Sequence, residues 1–259
     1  MLKKSLAIGA LSVLSAGFAI AQDAAAEIRF GAGIRLIKDG IPDRALVEFQ
    51  AALKADPDNA FYLKGLSVAY SQLADKCRAG DNACRTANLK KAVEAVQKAL
   101  VANPDYVDAR NDLGIALLRM GKRVEGKAEL ARAFADPQCP TPEVTAWNLG
   151  QAFFEEKDYN EALTWFQAAL NKNKNLAAGY KSVADVLILV GQSDAAIARL
   201  ELGLKETGGN PALQFALGDA YAKAGRYQDA RAAFEQVIKK DPVGVNGRQA
   251  AARLKSFPQ

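Results

Sequence analysis

The sequence predicts an all-α fold made of about six helical hairpins and one final helix. A 34-residue unit repeats along the chain, and it places the small residues Gly150, Ala184 and Gly218 at intervals of 34 residues. No segment alternates between apolar and polar residues as a half-buried strand would. None of the nine prolines falls inside a predicted helix, where a proline would break the backbone hydrogen bonding. A repeat protein built from short helices explains these observations together.

The unit is most complete over residues 212–242. Its marker residues, in order, are Leu217, Gly218, Tyr221, Gly225, Ala230, Phe234 and Pro242. Gly218 and Ala230 are small where two antiparallel helices cross, which allows a close approach of their backbones. Gly225 ends the first helix, because a positive φ is accessible to glycine. Pro242 ends the second helix, because proline cannot continue it.

These residues and spacings resemble the tetratricopeptide repeat, and the resemblance covers nearly all of residues 22–259. It implies a right-handed superhelical solenoid of about six hairpins with a C-terminal capping helix. We expect residues 22–25 to form a loose lead-in. We predict repeats at about 26–59, 60–106, 107–142, 143–176, 177–210 and 211–244, and the cap at 245–259.

The second predicted repeat contains an insertion. Tyr70 and Ala92 are 22 residues apart, whereas the equivalent residues of the last repeat are 9 apart. Thirteen additional residues therefore lie at the turn between the two helices. We expect them to lengthen both helices, with residues 78–82 as the turn and Asp81 or Asn82 capping the second helix.

Two of the three cysteines lie in this insertion. Cys77 and Cys84 flank the predicted turn, so we predict a disulfide between them, and the alternative is two free thiols. Closing so short a loop would stabilise the fold by about 2 kcal/mol. A zinc site would need more ligands than the sequence shows here. Cys139, in a proline-rich loop, is left as the odd cysteine.

The first 21 residues are typical of a secretory signal peptide. Lys3 and Lys4 precede an apolar stretch over residues 5–20, and Ala19 and Ala21 supply the small residues of a cleavage site. The alternative is a retained membrane anchor, although the apolar stretch is short for a full span. No cysteine lies near the predicted cleavage site, so the sequence does not indicate a lipoprotein. We therefore expect a periplasmic or secreted bacterial protein with no stable membrane span after cleavage.

Charge and composition argue against nucleic-acid binding and against catalysis. The formal net charge is +5, and the signal contains two lysines and no acid, which leaves +3 on the mature chain. That charge is weak and dispersed, so we expect no nucleic-acid partner. The chain has no histidine, which removes the usual general base and imidazole metal ligands. With no phosphate-binding glycine loop either, we predict a non-enzymatic protein without cofactor or metal.

The tetratricopeptide resemblance implies that the first helix of each repeat lines a concave groove. An apolar groove suits an amphipathic helix or an extended segment of another protein. The alternative for each of these residues is packing on a neighbouring helix. The expected partner-binding residues are Phe30, Ile34, Phe61, Lys64, Asn111, Ile115, Trp147, Gln151, Phe154, Lys181, Asp185, Phe215 and Asp219.

A narrower resemblance is to the pilotins of type IV pili, bacterial outer-membrane lipoproteins that help a secretin assemble. The segments that carry it are Cys139-Pro140, Asn148-Leu149-Gly150, Asn173-Lys174-Asn175 and Ala184-Asp185-Val186-Leu187. The chain departs from that family in lacking a lipid-bearing cysteine and in carrying the insertion. We therefore predict an exported scaffold or adaptor that binds another protein, with a pilotin-like factor for a secretin or another envelope complex as the alternative. A third possibility is a repeat domain that serves an enzyme on another chain.

Overall fold

The computed structural model describes residues 22–256, and all regular secondary structure in that part of the chain is α-helical. The predicted signal peptide, residues 1–21, lies outside the described residues, as do residues 257–259 of the predicted cap. The helices are α1 (residues 22–38), α2 (Pro42–Leu53), α3 (Ala60–Lys76), α4 (Asn82–Ala102), α5 (Val107–Arg119), α6 (Arg123–Ala135), α7 (Pro142–Glu155), α8 (Tyr159–Lys172), α9 (Ala177–Leu189), α10 (Ser193–Glu206), α11 (Pro211–Lys223), α12 (Tyr227–Lys240) and α13 (Val245–Lys255).

The predicted all-α repeat fold is confirmed, whereas the prediction that residues 22–25 form a loose lead-in is wrong. Thirteen helices follow one another over residues 22–256, twelve in hairpins and one at the end. Residues 22–25 belong to α1. The reason lies in the local sequence, in which three consecutive alanines follow Asp23. Alanine has the highest helix propensity, and an acid is favourable near a helix N-terminus.

In four hairpins, the first, third, fourth and sixth, a large side chain of the second helix packs on a glycine of the first. A Cβ placed on Gly150 would lie 2.5 Å from the Phe166 ring, and one on Gly218 would lie 2.6 Å from the Phe234 ring. These contacts leave no space for a methyl group, so glycine is required for the helices to approach this closely. Phe166 and Phe234 are fully buried as a result.

The second hairpin is longer than the others, as the insertion predicts. α3 has 17 residues and α4 has 21, whereas the two helices of the fourth hairpin have 14 each. Asp81 rather than Asn82 is the N-cap of α4, and its carboxylate accepts a hydrogen bond from the Cys84 amide at 2.9 Å. The insertion therefore extends regular helix instead of forming a long irregular loop.

The chain divides into two compact units at residues 138/139. In unit 1, α1 to α5 surround cores that include Phe49, Val96 and Leu113, and α6 packs Leu130 on Gly114 of α5. In unit 2, α7 to α11 pack on a core around Phe166 and Leu200, whereas α12 and α13 form a second cluster with Phe234 and Ala250. Over residues 22–256, none of the helices is both long enough and apolar enough to cross a membrane.

Candidate functional site

Within each unit, first helices of neighbouring hairpins contact each other. In unit 1, α3 contacts α5, and in unit 2, α9 contacts α11. Within the described chain, the second helices make no contacts of similar extent with one another. Stacked hairpins that approach each other through their first helices curve toward that side. We call the surfaces formed by α1, α3 and α5, and by α7, α9 and α11, the first-helix faces of units 1 and 2.

A pocket of about 220 Å³ opens on the first-helix face of unit 2. Its walls include Trp147, Gln151 and Phe154 from α7, together with Lys181 and Asp185 from α9. All five belong to the predicted groove set. Trp147 and Phe154 are seven residues apart, which is two helical turns, so both side chains leave the same side of α7. The pocket thus combines two aromatic walls with an amide and two charged groups at its edge.

The indole of Trp147 is held in place by a neighbouring helix. Its Nε1 donates a hydrogen bond to the Ser182 hydroxyl of α9 at 3.0 Å. Ser182 also lines the pocket, and sequence reasoning missed it. A serine on a helix surface gives no signal by itself, because its role depends on which residue of the adjacent repeat it meets. The bond satisfies the polar edge of the indole and leaves its apolar surface for the pocket.

Charged side chains continue this face toward the end of the chain. Lys181 donates to Asp185 at 2.6 Å within α9, and Asp219 of α11 pairs with Arg253 of α13 at 3.2 Å. Burial raises the pKa of the Asp219 carboxyl, and the nearby Arg253 partly offsets this effect. Arg253 was not predicted as a site residue, because the sequence alone does not show that the final helix reaches Asp219.

The first-helix face of unit 1 is more polar than the sequence suggests. Phe61 is 55% exposed, and its ring lies 5.1 Å from the ring of Tyr106. Lys64 lies 3.5 Å from the carboxylate of Asp112 and 6.0 Å from the Tyr106 ring centre. Burial raises the pKa of Asp112, although Lys64 opposes the shift. The sequence analysis did not predict Asp112 as a site residue. The one feature that could have indicated it is its position beside the predicted residue Asn111 on a first helix.

Several predicted groove residues also pack on neighbouring helices. The Phe30 ring lies 5.0 Å from the ring of Tyr62, and the Phe215 ring lies 5.3 Å from that of Phe234. Ile34 packs against the buried cluster that contains Phe49. Asn111 and Ile115 are half-buried on α5. That these residues take part in partner binding stays a prediction.

Cys77 and Cys84 meet at the turn between α3 and α4. Their sulfur atoms lie at bonding distance, and their Cα atoms are 5.9 Å apart, within the usual range for a disulfide. The amide nitrogen of Asn88 lies 3.6 Å from each sulfur. Cys139 is a free cysteine near the Thr145 hydroxyl, at 3.7 Å. Oxidation of Cys77 and Cys84 to a disulfide stays a prediction, since it depends on the redox state of the compartment in which the protein resides.

Comparison with known families identifies the repeat. Two profiles described as tetratricopeptide repeat match the chain, one over residues 78–202 and the other over residues 187–254. Together they cover more than half of the sequence. The chain belongs to the tetratricopeptide repeat family. Its repeat fold is that of a protein–protein interaction scaffold, a class that is typically not enzymatic.

The relatives of this tetratricopeptide repeat protein are distant. The Protein CTR9 homolog of Arabidopsis thaliana is 25% identical over 223 residues, which are 84% of this chain and 19% of the relative. The chain therefore spans about a fifth of the length of that protein.

Two solved structures share the fold over nearly their whole length. Pseudomonas aeruginosa PilF has a TM-score of 0.66 at 20% identity, covering 90% of this chain and 99% of PilF. PilW, a widely conserved type IV pilus biogenesis factor, has a TM-score of 0.65 at 20% identity, covering 87% of this chain and 98% of PilW. At this identity the likeness shows the fold.

Proposed function

We propose that this chain is an exported, non-enzymatic adaptor that binds a segment of another protein on its first-helix faces. The observation that carries the proposal is the pocket of about 220 Å³ between α7 and α9. It is small, concave and walled by Trp147 and Phe154, which suits one apolar side chain of a partner. Aromatic residues in such pockets are where binding energy usually concentrates.

Gln151 gives the pocket a means of binding a peptide backbone. It lines the pocket together with Trp147 and Phe154 of the same helix, and its amide carries both donors and an acceptor. An extended segment could therefore place an apolar side chain between Trp147 and Phe154 and pair one peptide group with Gln151. An amphipathic helix could place the same apolar side chain without the backbone contact.

The charged groups at the pocket edge set the register of the segment. Lys181 and Asp185 already pair with each other and are accessible to solvent, so they add little affinity. They still favour partners whose charges alternate in the complementary order. We place this adaptor in the periplasm or outside a bacterial cell, supported by the signal-like residues 1–21. The partner is a protein and not a nucleic acid, in line with the low net charge.

Site-directed photocross-linking in the native host tests the proposal. A benzophenone amino acid at Gln151 should capture one defined protein, and Phe154→Ala should strongly reduce the capture. The same group at Gln167, a glutamine of α8 that does not line this pocket, is the matched control. Equal capture from both positions, or capture that Phe154→Ala leaves undiminished, would contradict binding at the pocket.

A second candidate function is that of a pilotin-like assembly factor. The observation in its favour is the nearly complete mutual coverage with PilW and PilF. In that case the protein captured at Gln151 should be a secretin or another component of an envelope complex. Deletion of this chain should then reduce the amount of assembled secretin multimer in the outer membrane. A captured protein with no envelope role, and unchanged multimer, would favour the general adaptor.

A further inference from the structure

The C-terminal end of α3 connects three neighbouring hairpins of unit 1. Lys76 donates a hydrogen bond at 2.6 Å to the carbonyl of Gly40, in the turn between α1 and α2. On the other side, Arg119 at the end of α5 forms an ion pair with Asp75 and donates to the Ser71 carbonyl at 3.4 Å. A single helix end therefore contacts both the first and the third hairpin.

The insertion supplies the residues that make these contacts. α3 has 17 residues, whereas α5, α9 and α11 have 13 each. Asp75 and Lys76 are the last two residues of α3, so they lie in the part by which it exceeds those helices. A first helix of 13 residues would end before either side chain. We call residues 71–76 the α3 brace.

The Cys77–Cys84 pair fixes the end of the α3 brace. Cys77 follows the brace directly and leaves the helical conformation, with ψ of 143°. Its Cα lies 5.9 Å from that of Cys84, in the first turn of α4, and the sulfur atoms are at bonding distance. The last turn of a helix lacks part of its backbone hydrogen bonds and therefore frays easily. A disulfide to the start of the next helix opposes this fraying.

We propose that the Cys77–Cys84 disulfide is a redox-sensitive lock on the α3 brace. When the disulfide is closed, the brace holds the α1–α2 turn and the end of α5. When it is reduced, the end of α3 should open about thirtyfold more often, and both contacts open with it. The lock thus couples the redox state of one turn to the rigidity of three hairpins. It concerns unit 1 alone and does not rest on the pocket in unit 2.

A dithiol reductant opens the lock by thiol–disulfide exchange. Its first thiolate attacks one sulfur of the pair, forms a mixed disulfide and releases the other cysteine. Its second thiolate then attacks the reductant's own sulfur in that mixed disulfide and releases the remaining cysteine. The dithiol becomes a disulfide, and the two electrons and two protons that it loses appear as the thiols of Cys77 and Cys84. Both cysteines are only half-buried, so a reductant can reach them.

Hydrogen exchange followed by mass spectrometry, with and without dithiothreitol, tests the proposal on the purified chain. The same backbone bond closes the turns of several hairpins and supplies matched reporters. In unit 1 it is donated by the amides of Ile41 and Lys122, and in unit 2 by those of Gln192 and Arg226. Reduction should speed exchange in the two unit 1 turns by about tenfold or more and change the two unit 2 turns by less than about twofold.

A substitution in α5 separates the lock from the contact that it controls. Arg119→Met removes the α5 contact and leaves the disulfide in place. In the oxidised protein it should speed exchange at Lys122 and leave Ile41 unchanged. In the reduced protein it should add less than about twofold, because the contact is already open. Cys77→Ser with Cys84→Ser should reproduce the reduced protein without reductant, and Lys90→Met, at an exposed lysine of α4, is the control.

Three results would overturn the proposal. Faster exchange confined to residues 71–90 would show that the disulfide is only a local staple. Equal acceleration in the turns of both units would show a general loss of stability instead of a lock on one brace. An effect of Arg119→Met that is as large in the reduced as in the oxidised protein would show that the disulfide does not control the α5 contact.

Discussion

At the residue scale, the turns of the hairpins depend on a left-handed backbone position. Gly40, Gly121, Gly191 and Gly225 occupy it with φ between 69° and 80°. In the fourth hairpin the position is taken by Lys157, with φ of 63°, the one non-glycine residue with positive φ within residues 22–256. A side chain with a Cβ is strained there, by about 1–2 kcal/mol.

This irregularity predicts that Lys157→Gly stabilises the protein. The gain should be about 0.5–1 kcal/mol, because relief of the strain exceeds the added entropy of glycine in the unfolded chain. Gly225→Lys is the reverse change in the last hairpin, where a Cβ would meet no atom within 4 Å, so only the backbone strain opposes it. It should destabilise by a similar amount. Urea unfolding measures both, and equal signs for the two changes would refute this explanation.

The aromatic residues of α7 and α8 predict a separation between binding and stability. Phe166 is fully buried, so Phe166→Ala should cost about 3–5 kcal/mol of unfolding free energy. Trp147 and Phe154 are half-buried and line the pocket, so Trp147→Ala and Phe154→Ala should shift the melting temperature by only a few degrees. Each should weaken partner binding by about 2 kcal/mol.

The measurements are melting by circular dichroism and titration with the segment captured at Gln151. If Trp147→Ala destabilises the protein as much as Phe166→Ala, the indole belongs to the core and the assigned groove register is wrong. Phe153 was also expected inside the hairpin, and it is only half-buried. Its place near the end of the first helix is at the rim of the hairpin, where Tyr70 and Tyr221 are half-buried too.

Some site residues follow from the sequence, and others do not. Trp147 and Phe154 are apparent because large aromatic side chains recur at helical spacing outside the repeat's own core positions. Asp112, Ser182 and Arg253 are not, because each acts through a contact with a different helix. Such contacts depend on the side-chain geometry between repeats, which a one-dimensional pattern does not contain.

At the scale of the helices, the sequence located the insertion and the structure shows what it builds. The thirteen additional residues extend α3 and α4, which have 17 and 21 residues. The incorrect prediction of a loose lead-in at residues 22–25 has a different cause. The repeat pattern begins only at residue 26, so the pattern gave no reason to extend the first helix, although the local alanine content did.

The extended hairpin predicts a Cys77–Cys84 disulfide in the exported protein. The two residues join the end of α3 to the start of α4, with Cα atoms 5.9 Å apart. Peptide mapping under non-reducing conditions should show this linked pair and a free Cys139. Reduction should lower the unfolding free energy by about 2 kcal/mol. A bond from Cys139 to either partner would contradict the assignment.

At the scale of the molecule, the repeat fold is predictable because several independent spacings agree over most of the chain. The division into two units at residues 138/139 was not predicted. It falls in the loop that carries Pro137, Cys139 and Pro140, which has six residues, as does the connection between α2 and α3. The repeat pattern continues on both sides of that loop, so spacing alone does not distinguish a break between units from an ordinary connection.

The last prediction concerns export of the whole chain. The positive start, the apolar stretch and the small residues Ala19 and Ala21 should lead to cleavage between Ala21 and Gln22. Intact-mass measurement of the protein from the periplasm or medium of its native host should therefore give a chain that begins at Gln22. Ala21→Phe should leave the precursor uncut, because the peptidase requires a small residue there, whereas Ile20→Leu between the two alanines should be processed normally. A native protein that retains Met1, or a precursor of Ala21→Phe that is cut at the same place, would show that these residues form an anchor or an unrelated segment instead of a signal peptide.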